Sequence, residues 1–536
     1  EPKEARVDEP RDAHAHRVDD EARVERLGVL RDHHLEPVAA LVRPRRAREP
    51  CARDCSKSDR MKFRLLAAAV ACASLSVASD VRSDGGGRFD AAVRALTGSS
   101  AWKDADVSVA ILDVASGKML ASYNEHRALN PASNAKLYTA AAALAILHGD
   151  HRYETSLSGV VKGTSVSSVT LRGYGDPSLS SEDLAAMAAE LRERGVRRVD
   201  GDVLVDQRFY DDQTTPPAFE QKPNEWAAFR APVSALAVNE NTVTLEIRPS
   251  EAGQTAHAFF EPPGFVDVDG AVTTGTGAGA DTVGLVLSKN GSRLGAKLSG
   301  DVGEDAKVVR FTRRVEDPTL LAGYVLRAAL EQAQIKVTGE VKSGAGKGPV
   351  IAKHLSAPLS SLLYALGKNS DNFYAEMIFK SLAAEKKGRP AHAQDSAQLV
   401  EKTIGELDAN DAGIVIKNGS GLYDANRVTT SSVVHLLRSA WRNPAIQPEY
   451  VAQLSVGGVD GTLHGRFRSE HERGVVRAKT GTLDDTIALS GYVLGPPGKE
   501  PIAFSILFNK IPGHAAKARG DADRLVRAIV RDQWAE

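Results

Sequence analysis

Ser133 and Lys136 stand three residues apart in NPASNAKLYTAAAALAILHG (130–149). In a helix that spacing is about one turn, so the lysine amine lies beside the serine hydroxyl. A serine hydroxyl is a weak nucleophile at neutral pH and needs an adjacent base. Lysine can be that base only when its pKa is lowered, and burial or a second nearby cation lowers it. The apolar run after Lys136 supplies burial. Lys479, in Lys479-Thr480-Gly481, supplies the second cation. Ser370-Asp371-Asn372 offers a hydroxyl to relay a proton and an amide to orient Lys136 and hold a substrate amide. A helix N-terminus favours alkoxide character at Ser133. The backbone N–H groups of Ser133 and Thr482 are the natural oxyanion donors. Together these residues describe acyl transfer to a serine.

None of the three motifs is rare alone, so context has to separate them. A second Ser-x-x-Lys, Ser100–Lys103, falls in a link with no helix to hold both side chains, and reads as a solvated turn. Two further Ser-x-Asn matches begin at Ser122, in a strand pattern, and at Ser288, two residues before the hairpin signal Asn290-Gly291. Lys-Thr-Gly occurs once. Taken alone, Ser133 and Lys136 could be an N-cap serine and a snorkelling lysine. The three motifs in this order make that bland reading much weaker. No G-x-S-x-G elbow, H-E-x-x-H or Cys/His metal spacing is present, so neither a metal nor a cofactor is expected.

The elements that must position these residues can be read from pattern. FDAAVRALTG is a short helix, and DVSVAILDVASGKMLASYN a β-hairpin around Ser116-Gly117. Residues 156–312 are mostly strand-like, interrupted by the helix SSEDLAAMAAELRERG with a capping box at Ser180 and Asp183. Helices resume at DPTLLAGYVLRAALEQAQI, where Asp317 is placed to cap and Pro318 to open the first turn. GVVRAKTGTLDDTIALSGYVLG and PIAFSILFN read as neighbouring strands, and DADRLVRAIVRDQWAE as a closing amphipathic helix. The expected fold class is α/β (α+β): one domain built from 79–155 and 313–536, split by a large β-rich insert at 156–312.

The 536 residues allow two or three domains, and Lys+Arg 68 against Asp+Glu 69 gives no electrostatic case for nucleic acid. Residues 1–60 are dense in Arg, Asp, Glu and His and are expected to be disordered, or to be translated upstream sequence ahead of a true start at Met61. From Met61 the chain has a basic start (Lys62, Arg64), an apolar stretch Leu65–Ala78 and a small-residue site Ser76-Val77-Ala78. This predicts a secretory signal peptide over 61–78, too short for a permanent membrane span. The three cysteines, Cys51, Cys55 and Cys72, all precede that site, so the exported chain has no thiol. Ala69 stands where a lipid-attachment signal has a larger aliphatic residue, which argues against Cys72 as a lipid anchor.

The sequence resembles the class C low-molecular-mass penicillin-binding proteins, the type-4 D-alanyl-D-alanine carboxypeptidase/endopeptidases. The matching pieces are PASNAKLYTAAAAL (131–144), GYGDPSL (173–179), APVSALAVNEN (231–241), GKNSDNFYAE (367–376), NGSGLYDANRVT (418–429), GGVDGTLHGRF (457–467) and AKTGTLDD (478–485). The long interval from Ser133 to Ser370 fits that family's inserted domain. The resemblance implies a penicilloyl-serine transferase (transpeptidase-like) fold and a periplasmic enzyme with at most a loose membrane association. It implies removal of the terminal D-Ala from peptidoglycan stem peptides, with endopeptidase action on cross-links, and β-lactams as covalent inhibitors. By resemblance Ser133 is the nucleophile, Lys136 its base, and Ser370, Asn372 and Lys479 complete the cleft. By the same resemblance Thr480 and Thr482, flanking Gly481, are expected to bind the terminal carboxylate. Two departures stand out. Tyr423-Asp424 replace the Ser-Arg that relatives carry after G-S-G-L, with Arg427 nearby. Asn224-Glu225 occupy the place of an aspartate that receives the amino end of the stem side chain, so Glu225 is the candidate substitute. A β-lactamase or esterase with the same cleft, and a catalytically silent peptidoglycan-binding protein, are the rival readings.

Overall fold

The computed structural model describes residues 87–277 and 282–535. Residues 1–60, the expected signal peptide at 61–78 and all three cysteines lie outside them.

One six-stranded antiparallel sheet organises the part that carries the motifs. Its order is Ser455–Val456, Val476–Leu483, Thr486–Val493, Ile502–Asn509, Asp106–Asp113 and Met119–Tyr123. Side chains of a strand alternate between faces, and here each face meets a different core. Ala110, Leu112, Ala488, Tyr492, Ala503 and Leu507 pack against helices that include Ala135–Leu147, Leu359–Gly367, Asn372–Lys386 and Thr430–Arg442. Val109, Ile111, Ile487, Leu489, Phe504 and Ile506 pack against Asp90–Thr97 and Ala515–Gln533. Every residue of Thr486–Val493 and Ile502–Asn509 is buried, because both faces are covered. Helix Ala135–Leu147 is buried almost all round, as its Ala-rich sequence requires.

The insert contains two kinds of structure. A seven-stranded mixed sheet pairs Glu154–Lys162, Ser165–Gly173, Arg198–Val199, Val203–Asp206, Lys336–Val337, Val341–Ser343 and Val350–Leu355. Helices Ser181–Glu193 and Leu321–Gln332 share its core through Leu184, Leu191, Leu326 and Leu330. Strands between Thr242 and Arg314 form the all-β remainder around Leu245, Ile247, Leu298 and Val302.

Pairing therefore carries the insert beyond the boundary expected at 312. Val350–Leu355 lies antiparallel to Glu154–Lys162, which closes the insert where it opens, and we draw it at 154–355. The sequence pattern missed this because Leu321–Gln332 reads as an ordinary amphipathic helix whichever core it joins. That helix also starts later than expected. Its N-cap position is Leu320, while Asp317 instead accepts from the Thr319 N–H at 2.9 Å in a turn ahead of it. The Ser180–Asp183 capping box is present. Ser100 and Lys103 are both exposed, at either end of the single 3-10 turn Ser100–Trp102, whose Trp102 is buried. Ser288 lies exposed in the hairpin strand Gly284–Asn290.

Candidate active site

Ser133 lies in one turn of 3-10 helix, Ala132–Asn134, that runs into helix Ala135–Leu147. Three strands of the sheet fasten this turn. Asn130 and Asn509 exchange hydrogen bonds, N–H to Oδ1 at 2.8 Å and Nδ2 to carbonyl at 2.9 Å. Asn134 Nδ2 donates to Ser490 Oγ at 2.7 Å. Gly481 lies so close that an added Cβ would sit 2.9 Å from the Pro131 carbonyl oxygen. A side chain there would push the Lys479 strand off the serine turn. Ala132 holds a positive φ of 46°, an uncommon state for a residue with a side chain. The tie from Asn130 Oδ1 to the Ala132 N–H, 2.9 Å, helps maintain it.

Lys136 is fully buried and its Nζ makes three bonds: to Ser133 Oγ at 3.0 Å, Asn372 Oδ1 at 2.7 Å and the Ser420 carbonyl at 2.8 Å. Burial lowers its pKa to about 7, against the opposing pull of Glu376 and Asp371. Lys479 is also fully buried and reaches Ser370 Oγ at 2.7 Å and its neighbour Thr480's carbonyl at 2.9 Å. Burial first, and the positive charge of Lys136 second, push it well below the ordinary lysine range. The expected lysine–lysine repulsion thus falls on Lys479, while desolvation is what lowers Lys136.

Ser370 and Asn372 straddle the start of helix Asn372–Lys386. Asp371 caps that helix, accepting the Tyr374 N–H at 2.9 Å. Ser370 adopts a positive φ of 60°, which places its hydroxyl on Lys479 while Asn372 faces Lys136. All five residues, Ser133, Lys136, Ser370, Asn372 and Lys479, are brought together by these bonds.

The expected substrate-binding residues are placed less uniformly. Thr480 donates its hydroxyl to Thr462 at 2.8 Å. Thr482 is exposed and lines a cavity of about 750 Å³ together with Asn130, Glu225, Phe229, Tyr423 and Arg427. Glu225 accepts the Tyr423 hydroxyl, and Tyr423 itself has a φ of 62°. Burial and the adjacent Glu225 carboxylate raise the Tyr423 phenol above its usual range. Arg427 reaches Asp424 at 2.6 Å and holds that carboxyl below its usual range.

Two features escaped the motifs. Glu376, one helical turn after Asn372, is buried and accepts the N–H groups of Gly419 and Ser420 at 3.1 and 2.8 Å. An acidic residue four positions after Asn372 in an apolar helix was the available signal. Phe229, in the insert, accepts Asn372 Nδ2 through its carbonyl at 3.1 Å, and a backbone acceptor leaves no sequence signal. Among the described residues no group of three or more His, Cys, Asp or Glu side chains is arranged to hold a metal ion.

Residues 90–529 match the model of the D-Ala-D-Ala carboxypeptidase 3 (S13) family. A D-alanyl-D-alanine carboxypeptidase of Actinomadura sp. (strain R39) is 36% identical over 453 residues, covering 80% of this chain and 82% of that protein. The D-alanyl-D-alanine carboxypeptidase DacB of Haemophilus influenzae is 25% identical over 402 residues, covering 73% and 83%. The fold is similar to the crystal structure of penicillin binding protein 4 (dacB) from Haemophilus influenzae. That likeness has a TM-score of 0.69 at 23% identity and covers 83% of this chain and 99% of that one.

Proposed function

The chain belongs to the D-Ala-D-Ala carboxypeptidase 3 (S13) family, and from that premise we propose that it is a serine-type D-Ala-D-Ala carboxypeptidase in which Ser133 carries the acyl group. The observation that carries this reading is Lys136 Nζ, buried and 3.0 Å from Ser133 Oγ, with its pKa at about 7. Near pH 7 a useful fraction of this lysine is the neutral amine a general base must be.

The steps follow from that geometry. Neutral Lys136 takes the Ser133 proton as Oγ attacks the carbonyl carbon of the penultimate D-Ala. The oxyanion is held by the backbone N–H groups of Ser133 and Thr482. The C–N bond then breaks, the terminal D-Ala leaves with a proton delivered through Lys136 or Ser370, and a free amine departs. Water attacks the acyl-serine by the same route in reverse and releases the shortened peptide. Thr480, Thr482 and Gly481 form the strand edge that receives the terminal carboxylate, and buried Lys479 ties that edge to Ser370 through its bonds to Ser370 Oγ and the Thr480 carbonyl. A β-lactam ring amide acylates Ser133 in the same way, but its leaving amine stays tethered to the acyl group.

Glu225 is the acceptor for the amino end of the stem side chain in this reading. The cavity of about 750 Å³ beside Thr482 gives room for a second stem peptide, which supports DD-endopeptidase action as well. The signal-peptide pattern at 61–78 and the cell-wall substrate support a periplasmic location. Among the described residues no helix is long and apolar enough to cross a membrane.

The test is labelling with a fluorescent penicillin, with D-Ala release from a pentapeptide measured in parallel. Wild-type protein is expected to do both, and Ser133→Ala neither. An alanine variant that still takes the label sinks the assignment.

A further inference from the structure

Asn372, Glu376 and Lys380 lie on one face of helix Asn372–Lys386, each one turn from the next. Asn372 reaches Lys136, and Lys380 pairs with Asp211 and the Gln213 carbonyl. Glu376, between them, reaches neither a substrate position nor Ser133. It reaches backbone: the strap Asn418-Gly419-Ser420-Gly421-Leu422.

That strap is held at nearly every polar group. Glu376 accepts two successive N–H groups, one on each carboxylate oxygen. The Gly419 carbonyl accepts Thr139 Oγ1 at 2.7 Å. The Ser420 carbonyl accepts Lys136 Nζ at 2.8 Å. The Gly421 N–H goes to Asn418 Oδ1 at 2.9 Å, and the Leu422 N–H to Ser420 Oγ at 3.2 Å. The strap is also pressed between two walls. A Cβ on Gly419 would lie 2.5 Å from Phe379 Cβ, and one on Gly421 would lie 1.9 Å from the Ala132 carbonyl oxygen. The peptide that receives Lys136 is therefore oriented from behind by Glu376.

We infer that Glu376 is a positioning residue for acylation, fixing the 419–420 peptides so that the Ser420 carbonyl holds Lys136 against Ser133. The inference rests on the reading of Ser133 and Lys136 given above. A plain structural role would satisfy two N–H groups and nothing more. Two facts go further. Both carboxylate oxygens act as acceptors, which suits the ionised form. In addition, burial raises the Glu376 pKa while the Gly419 and Ser420 hydrogen bonds and Lys136 favour its ionised form, and in that form its charge sits beside the base and opposes the base's loss of a proton. The charged groups facing Lys136 are Glu376 and Asp371 from the Asn372 helix region and Lys479 from the opposite strand. Those facing Glu376 are Lys136 and Lys380, the latter already paired with Asp211.

The experiment is the second-order rate of penicillin acylation from pH 5 to 9 for wild type, Glu376→Gln and Glu376→Asp, with thermal unfolding of each. Gln offers one acceptor for two N–H groups and turns an amide toward a donor. Its maximal rate is expected to fall about ten- to hundredfold. With the negative charge gone, the rising limb of its profile should move to lower pH by about one unit. Asp keeps the charge, so its limb should stay in place while its rate falls. A folded Gln variant whose limb does not move overturns the inference. Should the Gln variant not fold, Thr139→Val releases the strap from its other side without altering charge. It is expected to slow acylation several-fold with the limb in place, and a wild-type rate there overturns the inference. Failure of wild-type protein to label at Ser133 would instead overturn the functional reading on which this one stands.

Discussion

The Phe229 carbonyl accepts a hydrogen bond from Asn372 Nδ2 at 3.1 Å, so a loop of the insert is tied to the same amide that holds Lys136. A substrate amide that uses Asn372 must displace that carbonyl or take the amide's second hydrogen. The insert is thereby an element of the cleft wall and not an appendage, and its tie from Glu225 to Tyr423 gives one of the expectations below.

Acylation should depend steeply on pH. With Lys136 at about 7, the base is mostly protonated at pH 5.5, and the rate should rise close to tenfold per unit before levelling above neutrality. Lys136→Arg cannot lose its proton in this range, and labelling should fall by about a thousandfold or more. The same shift has a stability consequence. The folded pKa, about 7, lies below the ordinary lysine value of 10.5, so between those values the unfolded chain binds more protons. Stability therefore rises with pH across that window. Lys136→Met should lack part of the rise, as denaturant unfolding at pH 7 and 9.5 would reveal. Equal slopes in the two proteins would contradict the buried-lysine assignment.

Gly421→Ala should injure catalysis from a distance. The residue has a φ of 76°, costing a side chain about 1–2 kcal/mol. Its Cβ would also meet the Ala132 carbonyl and move the Ser133 turn. Acylation slowed by about tenfold or more is expected. Gly513→Ala is the control: its φ is 74°, yet nothing lies within 4 Å of an added Cβ. That variant should lose only the backbone increment and acylate normally. Similar rates in both variants would refute the contact argument.

Tyr423→Phe should change which stem peptides are preferred. Removing the hydroxyl frees Glu225 from its present donor. Relative to wild type, kcat/KM for a stem with a free side-chain amine should rise against its acetylated counterpart by several-fold, on the scale of one hydrogen bond to a charged group. An unchanged ratio would remove Glu225 from the subsite.

Asp460→Asn should act on substrate binding more than on chemistry. Lys368 Nζ bonds Asp460 at 2.6 Å, and the Lys368 carbonyl accepts the Thr462 N–H at 3.1 Å. Thr462 in turn accepts from Thr480. Loosening this chain should raise KM for the peptide several-fold and leave kcat nearly intact, with a stability loss of about 1 kcal/mol or less. A fall in kcat at constant KM would assign the loop a different role.

The grouping of the five candidate side chains was legible because side-chain chemistry leaves a mark at fixed spacing. Ser133 with Lys136, Ser370 with Asn372, and Lys479 each carry their own motif, and the strand and helix patterns around them supplied the sheet and its covering helices. What escaped depends on main chain. Glu376 works through the N–H groups of Gly419 and Ser420, and Phe229 through a carbonyl, neither of which a residue type announces. The limit of the insert escaped for a related reason. Leu321–Gln332 has one apolar face, and periodicity does not say which sheet receives it. Of the two causes expected to lower the Lys136 pKa, burial within the Ala-rich helix acts on Lys136 itself, whereas the lysine–lysine repulsion falls on Lys479.

The pairing of Asp106–Asp113 with Ile502–Asn509 has a temporal meaning. A ribosome finishes the first of these strands long before it makes the second. Until then one of the strands that will flank the sheet's centre has no inner neighbour, and folding must wait for contacts very distant in sequence, which slows it. A chain cut short after Thr482 would contain every motif and still lack Ser490, Ser505 and Asn509, which anchor the serine turn. Truncated products should therefore be inert and not partly active, although they carry every motif.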